Sequence, residues 1–175
     1  MRETPTDLKR LQRLLDDSVE QASPFLRSSF EMPEHSLSAA QLVEHLDGSL
    51  TVALGTVTAR GEPRVAPIAA FLLRASFYVP TVAESARATH LARRPAVSLT
   101  YFEGTDLALV AHGHASIIAG DDPAFDELDQ TQVRCGNQSV TEWQGHGVYL
   151  HVQSATLFTY ARHPDRYPPS RADPS

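Results

Sequence analysis

The chain has 175 residues, 42% of them apolar and 21% charged, a balance that suits one folded domain with a core of its own. Its formal net charge of −6 argues against nucleic acid as the main partner, because a phosphate backbone needs a basic face. The sequence has no run approaching a membrane span, no apolar leader, and one cysteine, Cys135; a cytoplasmic protein without membrane contact or intrachain disulfide is expected.

Thr4-Pro5-Thr6-Asp7 reads as a helix start, with Thr4 as cap, proline in the first turn and Asp7 returning a hydrogen bond. Leu8, Leu11, Leu15 and Val19 then fall on one helical face. Residues 23–36, with two prolines and several serines, read as a connector. Ser38 and Gln41 form a second capping box, Leu37 can staple against Leu42, and this helix ends near Asp47-Gly48. From Ser49 the period changes. Leu50 to Thr58 and Val65 to Leu73 are predicted strands around an Arg60-Gly61-Glu62 turn, and Arg74-Ala75 turns the chain into Phe77-Tyr78-Val79. Three strands in meander exclude a βαβ arrangement here.

A helix is predicted from Val82 to Arg93, with Thr81 as cap and Glu84 three residues on. Pro95 stops it and Val97 to Phe102 follows, then Gly104 and a strand from Leu107 to Ile118. Asp122-Pro123 opens a helix to about Arg134, closed by Gly136-Asn137. Ser139 to Glu142 forms a short turn before Trp143, and Gly147 to Val152 and Ala155 to Ala161 read as a final pair of strands. Most strands are apolar on both faces, which suits a small antiparallel barrel of six or seven strands whose outside is also covered, as by a second subunit. The expected fold is therefore mainly β, a barrel with added helices. The expected divisions are a helix and connector over 1–36, the barrel over 37–162, and a loose proline-rich tail over 163–175.

Residues Thr81 to Pro95 carry the chemistry. A helix opening directly after an apolar strand presents unpaired N–H groups and the positive end of its dipole. Thr81 and Ser85 add hydroxyls, and Arg87 adds a charged, planar fork of donors, so the place suits a phosphate. Arg93 and Arg94 lie in the last turn, where cations suit the helix dipole. His112 and His114 share a strand face without a third metal ligand at recognisable spacing; no metal site is expected. The sequence contains no Ser/His/Asp set, paired-carboxylate motif or nucleotide-loop glycine pattern.

Three segments in this order resemble the flavin-binding split β-barrel of the pyridoxamine 5′-phosphate oxidase-like superfamily. They are Val52-Ala53-Leu54-Gly55-Thr56-Val57-Thr58-Ala59-Arg60-Gly61-Glu62-Pro63-Arg64-Val65-Ala66-Pro67, the stretch Phe77 to Pro95 with Pro80, Thr81, Ser85, Arg87 and Leu91, and Ala111-His112-Gly113-His114-Ala115. The resemblance covers roughly residues 40 to 160. It implies a homodimer with two cofactor sites at the interface, the cofactor phosphate held around Pro80, Thr81, Ser85 and Arg87. It also implies that the ring lies along Ala66, Pro67, Ile68 and Ala69, with Trp143 and the strand after it supplied by the facing subunit.

The chain departs from the vitamin-phosphate oxidases proper. Those carry an Arg-Lys pair where Ala86-Arg87 stands here, and charges where Ala66 and Phe71 stand; His90 replaces a usual asparagine. The lone basic residue is more similar to the flavin/deazaflavin oxidoreductases common in actinobacteria, and all but one of the 15 basic residues are arginine, in keeping with a GC-rich source. The expected cofactor is FMN or the deazaflavin F-420, used for hydride transfer to or from a small organic substrate, with no catalytic acid or base singled out. The alternative is a protein that sequesters a flavin, haem or linear tetrapyrrole without turnover, His146 and His151 being the haem-ligand candidates and His151 the one to substitute.

Overall fold

The computed structural model describes residues 3–169. Six antiparallel strands close a barrel in the order β1-β2-β3-β6-β5-β4. They are β1 (Leu50–Val57), β2 (Pro63–Leu73), β3 (Ser76–Val82), β4 (Ala96–Glu103), β5 (Leu107–Ile118) and β6 (Gly147–Ala161). Inward positions such as Val52, Leu54, Leu99, Leu109, Ala111 and Leu157 join one core. Burying this much branched apolar surface is what drives closure.

Helix α1 (Pro5–Gln21) has the capping box read from Thr4 and Asp7, and α3 (Ala39–His45) has the one read from Ser38 and Gln41. Leu11 and Leu15 of α1, with Leu37, Leu42 and Leu46 around α3, extend the barrel core. The connector is partly helical: Ser23 caps a short α2 (Pro24–Ser29).

β6 departs from the expected hairpin. It is one bent strand whose register against β5 slips between His112 and Gly113, leaving Ala155 as a bulge. Gly113 is why the strands fit, since a Cβ there would stand 2.0 Å from the Gln153 carbonyl oxygen. The first half of β6 pairs with β3. The free edge of its second half is taken up elsewhere: Leu157 N–H donates to Ser18 Oγ of α1 at 2.9 Å, Leu37 N–H to Thr159 Oγ1 at 2.8 Å, and Ala161 N–H to the His35 carbonyl at 2.7 Å.

β2 and β3 pair only at Phe71–Leu73 with Ser76–Tyr78, then diverge. The β2 edge from Pro63 to Ala69 therefore pairs with β1 on one side and not with β3 on the other. At the tight end, Arg74 and Ala75 take φ of 50° and 56°, a left-handed turn that non-glycine residues hold only under strain. Arg10 donates to the Arg74 carbonyl, and Ala75 N–H donates to Glu3 at 2.9 Å. Burial raises the Glu3 carboxyl above its usual range.

Helix α4 (Ala86–Arg93) starts later than expected, because pairing with β6 holds the chain extended as far as Val82. Its cap is Ser85, not Thr81. Likewise α5 (Phe125–Arg134) starts three residues beyond Asp122, whose carboxylate instead accepts from Ala124 N–H at 2.8 Å. Beyond the barrel, Gln41 Nε2 donates to the Pro164 carbonyl at 3.0 Å and Tyr167 packs edge-on against His45 at 4.8 Å; the last part of the proline-rich tail lies outside the described residues.

Candidate functional site

α4 lies over one end of the barrel, its Leu91 in the core. His90 Nδ1 shares a hydrogen bond of 3.0 Å with Thr56 Oγ1 of β1, and Arg94 Nε donates to the Val57 carbonyl at 3.3 Å. The helix thus bridges from the end of β3 across to β1.

Three expected residues come together at the start of α4. Thr81, only 3% exposed on β3, donates from Oγ1 to Ser85 Oγ at 3.2 Å. Ser85 Oγ accepts from Ala88 N–H at 3.2 Å. Arg87 Nη1 reaches Thr81 Oγ1 at 3.5 Å. The N–H groups of Ala86 and Arg87 have no intrahelical acceptor at this position. Half-buried Arg87 forms no ion pair among the described residues. A guanidinium without an ion-pair partner among the described residues, two hydroxyls and a helix start can accept an anion. Buried Pro80 pairs with Tyr149, whose hydroxyl donates to Asp129 at 2.9 Å; burial, then that carboxylate, pushes the Tyr149 phenol well above its usual range.

The four β2 residues divide by strand alternation. Ile68 packs toward the core, with Ala66 on the same inward side, whereas Pro67 and Ala69 face outward. What this stretch offers a flat ring is therefore a free backbone edge beside small side chains, not four side-chain contacts. Trp143 sits half-buried against a second cluster of Phe71, Tyr78, Phe125 and Tyr149.

One pair was not foreseen from the sequence. Glu84, one residue before the Ser85 cap, forms an ion pair with His146 Nδ1 and accepts from His146 N–H at 3.2 Å, while Ala83 N–H donates to the His146 carbonyl at 2.8 Å. Through it the segment carrying Trp143 is tied to the start of α4. The His146 hydrogen bond and charge hold the Glu84 carboxyl low, and Glu84 raises His146 in return. The pairing depends on β3 meeting β6, which no local pattern states. His151 is stacked on Tyr78 at 4.8 Å, and burial lowers it. His112 shares a 2.8 Å hydrogen bond with Ser98. Among the described residues no group of three or more His, Cys, Asp or Glu could hold a metal, and no helix is long and apolar enough to cross a membrane.

A closed antiparallel barrel whose second and third strands part after three paired residues is a split barrel. The chain belongs to the pyridoxamine 5′-phosphate oxidase family, whose model matches residues 38–157. Among solved structures it is similar to the conserved hypothetical protein Rv2991 from Mycobacterium tuberculosis, with 18% identity over 82% of this chain and 96% of that one, at a TM-score of 0.62. An F420 reductase shares 16% identity over 64% of this chain and 91% of its own, at 0.51. The haem storage protein HutZ from Vibrio cholerae shares 18% over 63% and 85%, at 0.50. At these identities the likeness is one of fold. No curated protein sequence matches the chain.

Proposed function

We propose that this protein is an oxidoreductase that holds FMN or the deazaflavin F-420 at the interface of a homodimer and passes hydride to or from a small organic substrate. The observation that carries the reading is the Thr81–Ser85–Arg87 cluster at the start of α4. Family membership and the fold likeness to an F420 reductase support it. When bound, the ring supplies the hydride chemistry. The chain's own residues supply the rest: Arg87 and the α4 amides hold the phosphate, Ser85 and Thr81 orient it, and the free β2 edge from Ala66 to Ala69 offers N–H and C=O groups to the ring. Pro80 stiffens the strand leading into the phosphate cluster, and Trp143 flanks the site from the facing subunit.

Titrating FMN and F-420 separately into wild type and Arg87→Ala, by absorbance and fluorescence, tests this reading. Saturable binding of at least one cofactor that weakens in the variant is expected; no spectral change with either would overturn it. A second reading, sequestration without turnover, draws on the fold likeness to the haem storage protein. Binding without reduction of any member of a substrate panel would favour it, and a Soret band lost in His151→Ala would point to haem.

A further inference from the structure

The short α2 and the residues after it lie over the outer faces of β5 and β6 without filling the space beneath. Leu26, Phe30 and Met32 form a roof, and Val110 and Phe158 form a floor. The cleft between them has a volume of about 270 Å³. Protein interiors are normally packed without such gaps, and an apolar cavity of roughly 150 Å³ already accommodates benzene. Tyr160 makes one wall and is fixed on both sides: Phe30 meets it edge-on at 5.6 Å and His35 stacks on it at 5.8 Å. The roof is anchored by the 2.7 Å hydrogen bond from Ala161 N–H to the His35 carbonyl. The gap is therefore held open by fixed elements.

Its lining contains no carboxylate, ammonium or guanidinium. A charged guest would lose its hydration with nothing to replace it. Of the polar residues lining it, Thr159 is engaged by Leu37 through Oγ1, Tyr160 carries a phenol, and His112 has its Nδ1 engaged by Ser98 at 2.8 Å. Its Nε2 has no partner among the described residues, and serves as donor or acceptor according to the tautomer. His112 also lines an outer groove of about 550 Å³ that runs past Ser98 to Val65 and Pro63. The cleft thus adjoins a groove that reaches the start of β2 at Pro63 and Val65.

We propose that this cleft binds a small, uncharged aromatic molecule bearing one hydroxyl or carbonyl group, its ring between Phe30 and Phe158 and its polar atom on His112 Nε2. This assignment stands on the cleft alone. If the oxidoreductase reading also holds, it names that enzyme's substrate class; if that reading fails, the cleft is a ligand site in its own right.

The test uses the full chain without added cofactor and p-cresol as probe, with toluene, benzoate and cyclohexylamine as comparators. The protein has two methionines, so methyl labelling makes Met32 a direct reporter in the roof, assigned through Met32→Leu. A saturable ring-current shift of the Met32 methyl with p-cresol, and none with benzoate or cyclohexylamine, is expected. His112→Leu should weaken p-cresol roughly three- to tenfold, the worth of one hydrogen bond, and leave toluene within about twofold. Ala108→Phe, which fills the cleft from an outward strand position, should abolish the shift. No shift with p-cresol, an equal response to the charged comparators, or undiminished binding in a folded Ala108→Phe variant would overturn the proposal, as would a Met32 methyl already displaced by a second copy's side chain in concentrated protein alone.

Discussion

Arg87 shows how little of a binding residue's role its own neighbourhood states. In the sequence it is one arginine among many; in the fold it leans on Thr81 Oγ1 and has no carboxylate partner among the described residues. If it holds a cofactor phosphate, Arg87→Ala removes charge-assisted hydrogen bonds that are worth about 1.5–3 kcal/mol together. Kd for the preferred cofactor should rise roughly ten- to a hundredfold, as read by fluorescence titration. Arg87→Lys should fall between, since it keeps charge but loses the planar fork. The Glu84–His146 pair gives a pH prediction at the same scale. Raised His146 contributes fully below its usual 6.5, and that contribution is lost as pH rises through its higher folded value. Lowered Glu84 contributes above its usual 4.5, and that is lost as pH falls through its lower folded value. The pair is therefore strongest between about 4.5 and 6.5. Trp143 is the chain's one tryptophan, and its emission should change as pH rises through the His146 range in wild type but not in His146→Gln. A His146→Gln profile that follows the wild-type one would show that the pair does not tether the Trp143 segment.

At the scale of elements, what could be read locally was read well. The capping boxes at Thr4 and Ser38 and the full extent of β5 were legible because each rests on residues within a few positions. The errors lie where a distant strand decides. Gln153-Ser154 reads as a turn, yet β6 continues through it because Gly113 lets the two backbones close over a bulge. Thr81 reads as a cap, yet pairing with Val148 keeps it in β3 and passes the cap to Ser85. The site followed the same rule: the hydroxyls and Arg87 were visible in one stretch, whereas His146 arrives from the far end of the barrel domain. Docking of α1 offers a separate check. Ser18 is buried, accepts from Leu157 N–H and donates to the Leu14 carbonyl at 2.6 Å. Ser18→Ala leaves a buried strand amide unpaired, which should cost about 1–3 kcal/mol. For a chain of this size the melting temperature should drop by roughly 2–4 °C per kcal/mol, and a drop under one degree would mean that water or a shifted α1 satisfies that amide.

For the whole molecule the outer barrel surface sets the remaining question. Outward positions on five strands read Thr51, Ala53, Gly55 and Val57 on β1, Val65, Pro67 and Ala69 on β2, then Ser98, Thr100 and Phe102 on β4, His114 on β5, and Thr156 on β6. None carries a formal charge other than through histidine. Val65 is 69% exposed and Phe102 61% exposed in the single chain, and a continuous uncharged face of this kind marks an association surface. In the proposed homodimer a second copy on this face would cover the free β2 edge, protect it from strand addition and complete the proposed cofactor site. A stable interface needs about 800 Å² from each partner, and one glutamate near its centre is hard to accommodate because a buried carboxylate finds no counter-charge there. Val65→Glu should therefore halve the mass seen by light scattering and weaken cofactor binding in parallel, with barrel stability little changed because Val65 is largely exposed in its own chain. A variant that stays dimeric would move the interface to another face. A monomer that still binds the cofactor with full affinity would place the whole site within one chain and remove the role assigned to the facing Trp143.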